Sequence, residues 1–342
     1  MKIESLNSID STEPYFVTIP NNLAGLRIDA ALSVIIPELS RSVITNWIKA
    51  GAILVEDKIP KPKDKVVGSE KVFITPIISE DKLAFTPENI DLDIVYSDEN
   101  IIVINKPAGL IVHPGNGNWS GTLLNGLLYH FAELQNIPRA GIVHRLDKDT
   151  SGLMVVARTA LAQVKLVEQL QNRTVSRIYR AIVTGHTPQK GVINKNIGRD
   201  LNNRIKMAVL NVGGKEAITH FRTLEYFSEF SYIECKLETG RTHQIRVHMQ
   251  SIHHPLVGDQ TYGSRKINYP QSIVDAIISL NRQALHALKL SFIHPATNEV
   301  MSFTSKIPED MKVLLQELRG EVENFDDEAY DDGNWEVMYV NE

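Results

Sequence analysis

His144-Arg145-Leu146-Asp147-Lys148-Asp149-Thr150-Ser151-Gly152 runs directly into the apolar segment Leu153-Met154-Val155-Val156-Ala157. The second segment has the length and the apolar continuity of a buried strand. The first supplies what must precede such a strand: small polar residues and a glycine that turn the chain. Asp147 therefore stands at a strand edge, between the cations Arg145 and Lys148. A carboxylate held rigidly among positive charges stays ionised and can serve as a nucleophile or a base. On spacing alone, Asp149, Thr150 and Ser151 read equally well as plain turn formers.

Outward from this strand, residues 93–318 alternate short strands and helices without a strict order. Ile101–Ile104, Tyr179–Val183, Ile218–Phe221 and Tyr232–Leu237 have strand character. Leu123–His130, Leu161–Gln171 and His243–Ile252 have helical spacing. That mixture predicts an α+β fold on a mixed, largely antiparallel sheet with flanking helices, not a doubly wound one. Residues 79–92 are polar and proline-marked and read as a linker.

Residues 16–78 read as a smaller unit. Leu26, Ile28, Ala31, Leu32 and Ile35 share a helical face that Pro37 ends. Ser40 is a candidate cap for a second helix carrying Val43, Ile44, Trp47 and Ile48, with Gly51 as its terminator. Ile53–Val55, the turn Glu56-Asp57-Lys58 and Val66–Ile74 read as short strands. Lys58, Lys61, Lys63 and Lys65 crowd the intervening loop. Residues 1–15 are an unpatterned lead-in.

The chain has 342 residues, 43% of them hydrophobic, and a net charge of −5. The charge is unevenly spread. The tail 319–342 holds nine acids between Glu321 and Glu342 and no Lys or Arg in that interval, so residues 1–320 alone carry +4. A mildly basic body permits phosphate binding. No run reaches the roughly 18–20 apolar residues of a membrane span. The N-terminus lacks the basic-then-apolar layout of a secretory signal. A single cysteine, Cys235, excludes an intrachain disulfide. A cytoplasmic protein is expected.

Three apparent motifs fail on spacing. Gly115, Gly117 and Gly121 follow the strand Ile101–Ile104 after a long loop and miss the dinucleotide-binding pattern. The eleven histidines include no His-Glu-x-x-His, and His243 and His248 lie five apart, on no common face. Gly213-Gly214-Lys215 lacks the phosphate-loop spacing and reads as a hairpin turn.

Five segments together resemble the RluA/RluD-type pseudouridine synthases. They are Asn105-Lys106-Pro107-Ala108-Gly109, the Asp147 segment, Arg177-Ile178-Tyr179-Arg180-Ala181, Leu237 through His248 with Thr239-Gly240-Arg241, and His254-Pro255-Leu256-Val257-Gly258-Asp259 with Leu285-His286-Ala287. Arg27-Ile28-Asp29, Ser40-Arg41-Ser42 and Trp47-Ile48-Lys49-Ala50-Gly51 resemble the S4-like RNA-binding domain, first known from a ribosomal small-subunit protein.

The resemblance implies an isomerase that converts uridine to pseudouridine in large-subunit ribosomal RNA, at the stem-loop called helix 69. It implies no cofactor, no metal, no membrane partner and a monomer. It implies Asp147 as the catalytic carboxylate, Arg241 as its partner arginine and Tyr179 as a stacking and proton-handling ring. Arg145 would enter the RNA helix where the uridine leaves. Leu237 would form an apolar pocket wall, while Asn105 and Lys106 would line the RNA groove. Arg41, Lys49, Lys58, Lys61 and Lys63 would contact RNA in the first unit. Arg241 in isolation also reads as a surface arginine of a Thr-Gly-Arg turn, and Tyr179 as a core residue. Competing whole-chain readings are a synthase for another ribosomal or transfer RNA site, a non-catalytic RNA-binding assembly factor, and a hydrolase using Asp147 and Asp149 as an acid/base pair.

Overall fold

The computed structural model describes residues 13–37, 39–77, 84–115, 117–203, 206–263 and 269–320, and the chain divides after Leu83 into two units. Most of the expected lead-in, residues 79–83 of the expected linker and almost all of the acidic tail lie outside the described residues.

In the first unit, β1 (Tyr15–Thr18), α1 (Ile28–Ile35), α2 (Arg41–Lys49), β2 (Ile53–Val55) and β3 (Lys71–Ile74) follow one another. The antiparallel sheet has the order β1-β3-β2. Both helices bury the expected faces: Ile28, Ala31 and Leu32 meet Ile44, Trp47 and Ile48 in one core with Ile53, Val72 and Ile74. The Ser40 hydroxyl accepts the Val43 N–H at 3.4 Å and caps α2. The strand expected over Val66–Ile74 is confined to its last four residues. Gly68 and Ser69 have positive φ, and the Glu70 carboxylate gathers the Val67 and Gly68 N–H groups into a turn.

The second unit begins at Ala84. Residues 84–92, expected as linker, are fastened to it: Asn125 donates to the Thr86 carbonyl at 2.8 Å and the Glu88 carboxylate accepts the Gly121 N–H. Its strands are β4 (Ile94–Ser97), β5 (Ile101–Lys106), β6 (Ser151–Ala157), β7 (Ser176–Thr184), β8 (Lys190–Asn194), β9 (Ile197–Arg199), β10 (Met207–Val209), β11 (Ile218–Tyr226), β12 (Phe230–Leu237), β13 (Leu285–Ile293) and β14 (Val300–Thr304). Its helices are α3 (Leu123–His130), α4 (Ala160–Gln171), α5 (Gln244–Ser251), α6 (Gln271–Leu280) and α7 (Glu309–Arg319).

Among the described residues, nine strands form one sheet in the order β4-β5-β6-β13-β7-β12-β11-β8, with β14 paired to β13. β9 and β10 form a separate hairpin. Every pairing in the large sheet is antiparallel except β6 with β13, which is parallel. The expected α+β class with a mixed, largely antiparallel sheet is what the chain forms.

All seven residues of β6 are buried because both faces of the sheet are covered there. Ile102, Ile104, Met154 and Val156 enter one apolar cluster, while Ile101, Val103, Leu153 and Val155 enter another. This is the two-residue alternation of strands read on both faces. Gly152 lets β13 approach. Its φ is +114°, and a Cβ there would lie 2.3 Å from the Ala287 carbonyl oxygen.

Candidate active site

The carboxylate of Asp147 is positioned from below and behind. Leu146 is buried in the apolar core, while Arg145 on one side is exposed and Asp147 on the other is half-buried. This alternation puts Arg145 and Asp147 on the same side of the segment. The following turn is held at each carbonyl. The Asp147 carbonyl accepts the Thr150 N–H at 3.1 Å, and the Lys148 carbonyl accepts Gly109 N–H and Lys106 Nζ, both at 2.9 Å. Arg282 Nη1 reaches the Asp149 carbonyl at 3.3 Å. Gln283 donates to the Thr150 hydroxyl at 3.1 Å. Ser151 is bonded to His286, which is bonded in turn to Ser305.

Lys106 corrects the expectation of a groove-lining cation. It is fully buried at the end of β5. Its ammonium donates to the carbonyls of Pro107, Leu110 and Lys148 at 2.7, 2.9 and 2.9 Å. Burial draws its pKa down to about 7, against the opposing pull of Asp149 and Asp147. Lys106 therefore works as a strut beneath the Asp147 turn and has no surface with which to meet RNA. Asn105 is half-buried and donates to the Asp93 carboxylate at 2.8 Å.

The arginine that meets Asp147 is Arg246, on α5. Its Nη1 donates to Asp147 Oδ2 at 3.0 Å. Its Nε and Nη2 donate to Asp259 Oδ2 and Oδ1 at 2.7 and 3.0 Å. Burial opposes the charge on Arg246, but the Asp259 hydrogen bonds and the two carboxylate charges outweigh it and raise its pKa. Arg241, expected in this place, turns elsewhere: its Nε donates to the Glu216 carbonyl at 2.8 Å, and its backbone N–H is taken by Gln244. The physical reason is its position. Arg241 lies ahead of α5, whereas Arg246 is buried within the helix.

His243 caps α5 in the left-handed region, at φ +56°. It lies three residues before Arg246, and both side chains approach Asp147. Its Nε2 is 4.0 Å from Asp147 Oδ1, and its Nδ1 is 2.9 Å from the Tyr262 hydroxyl. Burial lowers its pKa, with Asp147 opposing. The shift favours the uncharged ring. In the sequence His243 and His248 lack a metal-ligand spacing, and Arg246 carries no signal that separates it from Arg241 in the same motif.

Tyr179, Leu237, Leu146 and Ile245 belong to one buried apolar cluster. Burial raises the Tyr179 pKa, with Asp147 and Cys235 adding to the effect and Arg177 opposing it, so its hydroxyl keeps its proton. The Cys235 thiol is buried and pushed up to about 12, which leaves it unreactive. In the first unit, Lys49, Lys58, Lys61, Lys63 and Lys65 are exposed. Arg41 is exposed as well, yet donates to buried Asp29 at 3.0 Å, and Arg27 holds the other oxygen of that carboxylate at 2.7 Å.

Thus a fixed carboxylate has one oxygen on an arginine and the other 4.0 Å from an imidazole, within electrostatic reach of a protonated tyrosine. Residues 100–251 match the family model described as RNA pseudouridylate synthase. The chain is 54% identical to the ribosomal large subunit pseudouridine synthase D of Neisseria meningitidis serogroup A, over 95% of this chain and 92% of that one. It is 48% identical to the protein of the same name from Escherichia coli K12, over 91% and 96%. A solved structure, human RNA pseudouridylate synthase domain containing 4, superposes with a TM-score of 0.53 at 25% identity, covering 68% of this chain and 95% of that one. The chain belongs to the RNA pseudouridylate synthase family and is an isomerase of that class.

Proposed function

We propose that this enzyme converts uridines of large-subunit ribosomal RNA to pseudouridine, at clustered uridines of the helix 69 stem-loop, with Asp147 as the reacting carboxylate. Its similarity to ribosomal large subunit pseudouridine synthases supports large-subunit ribosomal RNA as the substrate. The observation that carries the assignment to Asp147 is its bond to Arg246 at 3.0 Å, with Tyr179 within electrostatic reach. The reaction breaks the bond from ribose to uracil nitrogen 1, turns the base and joins ribose to carbon 5. A proton leaves carbon 5 and nitrogen 1 takes one up, so atoms and charge balance without a redox partner or ATP.

Asp147 has three routes: attack at carbon 6, attack at the anomeric carbon, or proton abstraction from the ribose. Each requires an ionised, fixed carboxylate, and the Arg246 bond serves both needs. Tyr179 offers a ring for the base and a hydroxyl for proton transfer. Arg145, exposed on the Asp147 side, takes the space vacated in the RNA helix when the uridine leaves the stack.

Residues 16–78 act as an S4-like RNA-binding domain in this reading. Lys49, Lys58, Lys61 and Lys63 neutralise phosphates, while Arg41 divides its charge between RNA and Asp29. Residues 93–318 carry the chemistry, and the protein works as a cytoplasmic monomer. The test is to map pseudouridines in ribosomal and transfer RNA from cells with and without the gene. Loss confined to helix 69 is expected. Loss at other positions would reassign the substrate, and unchanged maps would overturn the reading.

A further inference from the structure

Arg246 is shared between two carboxylates. Its Nε and Nη2 form one edge of the planar guanidinium, and both bond to Asp259, at 2.7 and 3.0 Å. Two parallel bonds fix the plane of the fork. Nη1, outside that edge, is left to meet Asp147 at 3.0 Å. The Tyr262 ring lies 5.0 Å from the guanidinium carbon. Asp259 is itself held: its side chain is 0% exposed, and its Oδ1 accepts the N–H groups of Thr261 and Tyr262 at 2.9 and 3.0 Å. Burial works against its charge, but the Arg246 bonds and charge and those two N–H groups prevail, so Asp259 is held below the usual carboxylate range.

We infer that Asp259 is a positioning residue for the isomerisation, setting the arginine that aligns Asp147 while taking up part of its positive charge. This rests on Asp147 being the reacting carboxylate. A guanidinium private to Asp147 would align it and also neutralise it. One shared with a second anion keeps the alignment and leaves Asp147 richer in charge, as a nucleophile or base must be. The other charged or titratable groups around Asp147 are His243 at the start of α5, Tyr262 in the turn after it, Tyr179 on β7, Lys106 on β5 and Arg145 on its own segment. Among the described residues, only Asp259 is tied to Asp147 through a shared cation.

The test uses the full chain and a large-subunit RNA transcript made with 5-tritiated uridine. Tritium is released when carbon 5 loses its proton. Asp259→Asn removes the charge and one acceptor edge, so Nη1 drifts. A displacement of about 1 Å lowers kcat about 100-fold, with KM and RNA affinity unchanged. The acid limb of the kcat profile moves to lower pH, because the charge of Arg246 then falls on Asp147 alone. Asp259→Glu keeps the anion, so its acid limb stays in place while its kcat falls without a rise in KM. It carries the test should the asparagine variant fail to fold. In an Arg246→Lys background, Asp259→Asn costs little more, because the fork it serves is gone.

Unchanged kcat in both Asp259 variants, a loss expressed in KM, or additive losses in the double variant would overturn the inference. Asp147→Asn is run in parallel. If it is inactive while the Asp259 variants behave as wild type, the inference alone fails. If it is active, the reading of Asp147 beneath it fails.

Discussion

Replacing Arg246 and Arg241 separately by methionine distinguishes the arginine that serves Asp147 from the one that resembles it in sequence. The Arg246 side chain is 7% exposed and bonds to carboxylates that are 0% and 14% exposed. Arg246→Met leaves Asp259 with two backbone N–H groups and no cation. Breaking a buried pair from one side costs about 3–5 kcal/mol. At about 2–4 °C per kcal/mol for a domain of this size, Tm should fall by about 6–20 °C. Loss of a fixed donor at the reacting carboxylate should lower kcat by about 100- to 1,000-fold. Arg241→Met removes one side-chain bond, to the Glu216 carbonyl, worth about 0.5–1.5 kcal/mol. Its kcat should stay near wild type. Thermal melting and tritium release on the same preparations check both. Equal damage from the two substitutions, or an Arg246→Met variant with wild-type rate and Tm, would refute the reasoning.

Gly152→Ala forces a Cβ to 2.3 Å from the Ala287 carbonyl at a positive φ; it should cost about 2–6 kcal/mol in urea unfolding, and wild-type stability would show that β13 can yield. Lys106 titrates near pH 7 when folded and at its ordinary 10.5 when unfolded. Between those values the unfolded chain binds the extra proton, so stability rises with pH, by at most about 1.4 kcal/mol per unit. The burial penalty is complete below pH 7, and Lys106→Met should flatten the slope between pH 7 and 10; an unchanged slope would contradict this. Tyr179→Phe should bind RNA normally but lose about 100- to 10,000-fold in kcat if its hydroxyl carries a proton, whereas a wild-type rate would restrict Tyr179 to stacking and packing.

What the sequence made legible was local. The run Leu153–Ala157 reads as a buried strand because both of its faces are covered, and the turn residues before it place Asp147 at the strand edge. Ser40 and Gly51 mark α2 because capping is a matter of a few neighbouring residues. The central place of β13, between β6 and β7, was not legible. Its pairings join residues more than a hundred positions apart, and its parallel contact with β6 depends on the missing side chain of Gly152. Lys106 misled because lysine is rarely buried, and only the three converging carbonyls explain it. Arg241 and Arg246 occur in one motif. Which of them faces Asp147 is decided by where α5 begins, after the left-handed turn at His243.

The most direct test of the account is single-turnover pseudouridine formation by Asp147→Asn, measured together with RNA affinity. The amide keeps the volume of the side chain and can still accept the Arg246 bond, but it is neither nucleophile nor base. The account predicts normal RNA binding with no pseudouridine formed. Turnover near the wild-type rate would contradict it and remove Asp147 from the chemistry.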